Sequence, residues 1–189
     1  TGRGIGPCLA DKVSYNGIRI YELLNWDVFT EKFTLQTKIK NKILATFDVK
    51  PINIKEELQK LKNLREIILP YVTDTYLLLQ RAINGEKNIL MEGAHGVMLD
   101  IDFSPYPFST GSNVVSGAVN IGAGIPPQKL NKVVGVVKAY TSRVGEGPLP
   151  TELHGSLADE IREKGQEYGT TTGRPRRIGW LDFESVKFA

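Results

Sequence analysis

The sequence predicts an α/β fold, on two observations. Residues 18–86 carry apolar side chains at helical spacing, whereas Asn88–Glu92 and Val133–Tyr140 are short, continuous apolar runs of the kind that buried strands show. Helices beside fully apolar strands imply ligands held at strand ends.

Taken in order, residues 1–17 are Gly-rich and read as irregular. From Asp27 to about Ala45, Phe29, Phe33, Leu35, Ile39 and Ile43 recur at roughly helical spacing. A second helix is expected from about Ile54, with Leu58, Leu61, Leu64 and Ile68 as its stripe; Pro70 should break or restart it. A third run, from Tyr71 through Leu78 to Ile83, meets a stop at Asn84-Gly85. Asn88–Glu92 then leads as a strand into the turn Gly93-Ala94-His95-Gly96. Val133–Tyr140 reads as a central strand. Ser156 to Gly165 suits a short helix, with Glu160 and Lys164 paired at i,i+4.

Composition narrows the function classes. With 41% apolar residues the chain can build a core, and a net charge of +3 gives no argument for binding nucleic acid. Cys8 is the single cysteine, so neither an internal disulfide nor a cysteine-based zinc site is available; this suits a reducing, cytoplasmic compartment. No apolar run reaches membrane-spanning length, and no signal-peptide pattern opens the chain. The chain starts at Thr1 in a Gly-rich stretch and ends at Ala189 in a pattern that could continue, so a fragment of a longer protein is expected.

Four segments are too rich in Gly, hydroxyl and Arg residues to be plain connections. Thr1-Gly2-Arg3-Gly4-Ile5-Gly6-Pro7 offers backbone donors, a hydroxyl and a guanidinium to an anion, although Gly-rich turns are more often structural. His95 lies between glycines at a strand end, where it is either a ligand contact or a satisfied, partly buried histidine. Tyr106–Asn113 holds hydroxyls that bind phosphate or simply make turns and caps. Gly169–Arg177 packs three threonines and three arginines into one loop. Pro175 argues against a helical basic face, and arginine grips carboxylate and phosphate through a planar fork. Thr141–Pro148 could line the same pocket. Arg3, Arg143, Arg174, Arg176 and Arg177 together imply an anionic small molecule. No G-x-x-x-x-G-K-[ST], strand-borne G-x-G-x-x-G or H-E-x-x-H motif is present.

In this order and spacing the stretches TGRGIGP, NILMEGAHGVMLDID, YPFSTGSN, VVKAYTSRVGEGPLPTEL and EYGTTTGRPRRIGWLDF resemble adenylosuccinate synthetase. The similarity runs through most of the chain and is weakest over residues 20–86. It implies part of a P-loop-NTPase-like mixed sheet with flanking helices, plus the mainly helical segment at about 18–86. By this resemblance residues 1–189 are one partial domain of a longer enzyme, with a helical subregion of about 18–86 and a strand and ligand-loop subregion of about 87–189.

The family joins IMP to L-aspartate using GTP: the 6-oxygen of the purine is phosphorylated, and the aspartate amine then displaces the phosphate. Carried over by position, Thr1 and Thr110 resemble threonines on the IMP phosphate. Arg3 resembles a loop arginine that closes on aspartate. Thr170, Thr171, Thr172, Gly173 and Arg174 resemble the aspartate loop, with Arg174 also reaching IMP; Arg176 resembles an arginine on GTP. His95 stands where the family usually has a catalytic, purine-steadying glutamine, and Tyr15 where an arginine usually reaches across a homodimer to the partner's IMP phosphate. The resemblance implies Mg2+, with its ligands expected outside this chain alongside the phosphate-binding loop, the catalytic aspartate and histidine, and the guanine-reading motif. The isolated chain is therefore expected to be inactive. Expected partners are IMP, L-aspartate, GTP and a second copy of the chain, with no nucleic acid and no membrane. A non-catalytic nucleotide- or anion-binding module is the alternative, favoured by His95 and Tyr15; an RNA-binding domain is disfavoured by the low charge.

Overall fold

The computed structural model describes residues 3–170 and 173–189; Thr1, Gly2, Thr171 and Thr172 lie outside the described residues. The chain divides into two compact units, Gly6–Gly85 and Thr1–Ile5 with Glu86–Ala189. Among the described residues it is helix-rich, with one small two-stranded sheet.

In the first unit the helices are α1 (Ile5–Val13), α2 (Trp26–Ala45), α3 (Ile54–Ile68) and α4 (Thr75–Asn84). The Gly-rich opening is thus not wholly irregular: Pro7 falls in the first turn of α1, where its missing N–H costs no helical bond. Asn25 caps α2 by accepting from the N–H groups of Asp27 and Val28, and Asn53 caps α3 in the same way at Lys55 and Glu56. Trp26, Phe29 and Phe33 stack in series at 5.1 and 5.8 Å, and Phe29 is buried. Leu35, Ile39 and Ile43 remain exposed, so the inward face of α2 is narrower than the apolar periodicity implies. Arg65 of α3 donates Nε to the Leu23 carbonyl at 2.6 Å while its guanidinium lies over Trp26. Pro70 sits in a 3-10 turn, Leu69–Tyr71, that ends α3; α4 restarts only where Asp74 supplies a cap to the Leu77 N–H, and it closes on Gly85.

In the second unit, β1 (Tyr140–Arg143) and β2 (Arg177–Trp180) pair antiparallel, with Thr141 opposite Gly179 and Arg143 opposite Arg177. Short helices α5 (Ala118–Ala123), α6 (Ser156–Lys164) and α7 (Phe183–Phe188) complete it. The Glu160–Lys164 pair expected on α6 is present at 2.6 Å. Ile178 is fully buried, and Leu149 and Ala158 are buried with it. Gly179 is required by a close approach: a Cβ there would meet the Thr151 carbonyl at 2.8 Å.

Two expected strands differ from the structure. Asn88–Glu92 forms no ladder, and in the Val133–Tyr140 run only Tyr140 enters a strand. An apolar run becomes a sheet strand only where neighbours take up its backbone groups and cover its faces. Val133, Val134, Val136 and Val137 are 56–93% exposed, and among the described residues no strand lies beside them. No helix is long and apolar enough to cross a membrane among the described residues.

Candidate functional site

The Gly169–Arg177 segment is a loop tied at its neck. The Gly169 N–H donates to the Arg174 carbonyl at 2.8 Å, and the Gly173 N–H to the Gly169 carbonyl at 2.7 Å. Gly173 makes the return at φ +64, a conformation that side-chain-bearing residues rarely adopt. Thr170, Gly173 and Arg174 are exposed on this loop, while Thr171 and Thr172 lie outside the described residues.

The arginines divide into different tasks. Arg177 donates through Nε and Nη2 to both oxygens of Glu152, and its Nη1 reaches the Gly147 carbonyl at 2.8 Å and the Gly145 carbonyl at 3.3 Å. Arg143 donates to the Glu146 carbonyl at 2.8 Å and to the Phe108 carbonyl at 3.0 Å. Both side chains therefore hold the Gly145–Gly147 turn, and Arg143 ties it to the Tyr106–Asn113 segment. A Cβ on Gly147, at φ +99, would stand 2.7 Å from Arg143 Nη2 and 2.8 Å from Phe108 Cβ. These donors of Arg143 and Arg177 therefore serve protein carbonyls and a carboxylate. Burial and the neighbouring Arg177 charge lower the Arg143 pKa, whereas the Glu152 hydrogen bond raises that of Arg177.

Between the turn and the loop lies an open recess of about 310 Å³, lined by Gly145, Glu146, Gly147, Arg174, Pro175 and Arg177. The expected meeting of Thr141–Pro148 with the arginine loop is therefore present in the structure. Beneath the loop, Glu167 is 3% exposed and accepts from Lys138 at 2.7 Å, Tyr140 at 2.5 Å and Arg176 at 2.9 Å. Burial pushes its carboxyl up, but the hydrogen bonds from Lys138 and Tyr140 and the charge of Lys138 outweigh it and hold the pKa at about 2. The same hydrogen bond raises the Tyr140 phenol.

Asp100 organises the other loops. Fully buried, it accepts from the N–H groups of Asp102, Phe103 and Val114 and from Asn113 Nδ2. Burial raises its pKa, and these donors bring it below the ordinary carboxylate range. The Thr110 N–H donates to the Leu99 carbonyl at 2.7 Å, which fixes half-buried Thr110 next to this staple. His95 is exposed at φ +66, so it is not the buried, satisfied histidine that its sequence context also allowed. Arg3 is exposed in the same unit; Tyr15 belongs to the other unit, 94% exposed at φ +62.

Glu152, Glu167 and Asp100 escaped sequence reasoning, because each has partners 9–29 positions away, beside the local N–H groups that Asp100 also holds. For two of them the only signal was position: Glu167 stands two residues before the loop, and Asp100 lies between the Gly93–Gly96 turn and the Tyr106–Asn113 segment. Among the described residues no three His, Cys, Asp or Glu side chains gather as a metal site.

The model of the adenylosuccinate synthetase family matches residues 1–189. The chain is 50% identical over 190 residues to the adenylosuccinate synthetase of Halothermothrix orenii and 51% identical to that of Levilactobacillus brevis, covering 100% of this chain and 44% of each relative. A solved structure of fully ligated adenylosuccinate synthetase from Plasmodium falciparum superimposes with a TM-score of 0.90 at 41% identity, covering 97% of this chain and 43% of that one. The chain thus spans less than half the length of the relatives it matches, and it belongs to the adenylosuccinate synthetase family.

Proposed function

We propose that this chain supplies substrate-holding loops to a GTP-dependent ligase that joins IMP and L-aspartate into adenylosuccinate. The observation that carries this reading is the recess where Arg174 of the neck-tied loop faces the Gly145–Gly147 turn. A short loop with a guanidinium at its closing end suits a small dicarboxylate, and an arginine shared with the nucleotide would bring the two reactants together.

In this reading Thr170, Thr171, Thr172, Gly173 and Arg174 hold aspartate, and Arg3 closes on it. Thr1, Thr110 and Arg174 meet IMP, Arg176 meets GTP, and His95 takes the purine-steadying role. Tyr15 faces the IMP of a second copy in a cytoplasmic homodimer. Thr110 is supported by its fixed place beside the Asp100 staple, and His95 and Tyr15 by their exposure. Mg2+ would be held by residues outside this chain. The Val133–Lys138 run would join a larger, P-loop-NTPase-like mixed sheet completed by the rest of the longer protein, in keeping with its exposed valines. These 189 residues alone would not turn over.

The test is phosphate release and adenylosuccinate formation by the full-length protein that carries these residues. Product is expected only when IMP, L-aspartate and GTP are all present. Binding of IMP without any turnover would instead favour the non-catalytic module, the reading that His95 and Tyr15 support.

A further inference from the structure

Glu167 links the sheet to the arginine loop through its two oxygens. Oε1 accepts from Lys138 Nζ at 2.7 Å, two residues before β1, and at 2.5 Å from the hydroxyl of Tyr140, the first residue of β1. Oε2 accepts from Arg176 Nη1 at 2.9 Å. The backbones of the same two residues are also joined, Arg176 N–H to Glu167 carbonyl at 2.9 Å, and the Arg176 carbonyl accepts from Arg162 Nε at 2.8 Å. The main chain of Arg176 is thus fixed on both sides, and its side chain is fixed at one end. Its Nε is buried with no acceptor among the described residues.

A guanidinium is a rigid plane with five donors, so anchoring one end sets the direction of the rest. A carboxylate held by two further donors cannot turn away from that anchor. We infer that Glu167 is a positioning residue for Arg176: it aims the guanidinium's remaining donors at the phosphates of a nucleoside triphosphate, and it does not itself touch substrate. The inference rests on the proposed role of Arg176 toward GTP.

Steady-state kinetics of the full-length protein with Glu167→Gln, Arg176→Ala and both together test it. Glu167→Gln is expected to raise the KM for GTP about 10-fold and the KM for IMP less than about 2-fold. Adding Glu167→Gln to Arg176→Ala is expected to leave the GTP KM within about 2-fold of Arg176→Ala alone, because a residue acting through Arg176 has nothing left to aim. An unchanged GTP KM in Glu167→Gln, or an equal rise in the Arg176→Ala background, overturns the positioning role. An Arg176→Ala protein with unaltered GTP KM overturns the parent reading of Arg176 instead, and is told apart by that single variant. Should Glu167→Gln fail to fold, Glu167→Asp keeps the charge but withdraws it by one methylene, and the same cycle decides.

Discussion

Arg177 grips Glu152 through both ends of one side of its guanidinium, Nε on Oε1 at 2.7 Å and Nη2 on Oε2, while Nη1 turns back to the Gly147 carbonyl at 2.8 Å. One side chain thus fastens the first residue of β2, the segment around Glu152 and the glycine turn that walls the recess. Arg177→Met strands a carboxylate and two carbonyls. The pair is 33% and 22% exposed, so a loss of about 2 kcal/mol is expected, short of a fully buried pair. Arg177→Lys is expected to recover less than half, because a point charge cannot span the carboxylate and the carbonyls together. Denaturant midpoints measure both; a lysine variant as stable as the parent would contradict the fork.

The Glu167 cluster makes an acid-side prediction. Its carboxyl falls from an ordinary 4.5 to about 2 on folding, so the folded state binds its proton later than the unfolded state. Its contribution is fully present above pH 4.5 and is lost as pH falls from there towards 2. Glu167→Gln has no proton to take up. The stability difference between parent and variant should therefore be constant above this window and shrink within it. Stability measured from pH 7 to 2.5 checks this, and a difference that stays flat down to pH 2.5 would contradict it.

His95 is exposed on a left-handed backbone position within the Gly93–Gly96 turn. If it steadies the purine, His95→Gln should keep kcat within about 3-fold, since an amide offers both a donor and an acceptor. His95→Ala should lower kcat about 100-fold with little change in the KM for IMP, as expected for a donor used in the transition state. Equal kcat in all three proteins would remove His95 from the chemistry.

Helices α2, α3, α4 and α6 were legible, the first three from apolar periodicity and the stop at Gly85, whereas α1 read as an irregular Gly-rich stretch; the caps Asn25, Asn53 and Asp74 emerge only in the structure. The strands were not, for opposite reasons. Val133–Val137 has the composition of a central strand yet lies exposed, because pairing depends on a neighbour and not on the run itself. Arg177–Trp180 is a strand whose first residue reads as basic loop. The family was recognisable by the order of the Gly-, Thr- and Arg-rich motifs, but composition could not sort their arginines. Whether a guanidinium serves a substrate or a carboxylate 25 residues away, as Arg177 serves Glu152, is decided by tertiary contact alone.

In the proposed function Arg174 serves both aspartate and IMP from the recess beside Gly145–Gly147. Calorimetric titration of the full-length protein with IMP, comparing parent and Arg174→Ala, tests it most directly. Loss of one charge-assisted donor should weaken IMP binding at least about 10-fold. Equal affinity in the two proteins would take Arg174 out of the site.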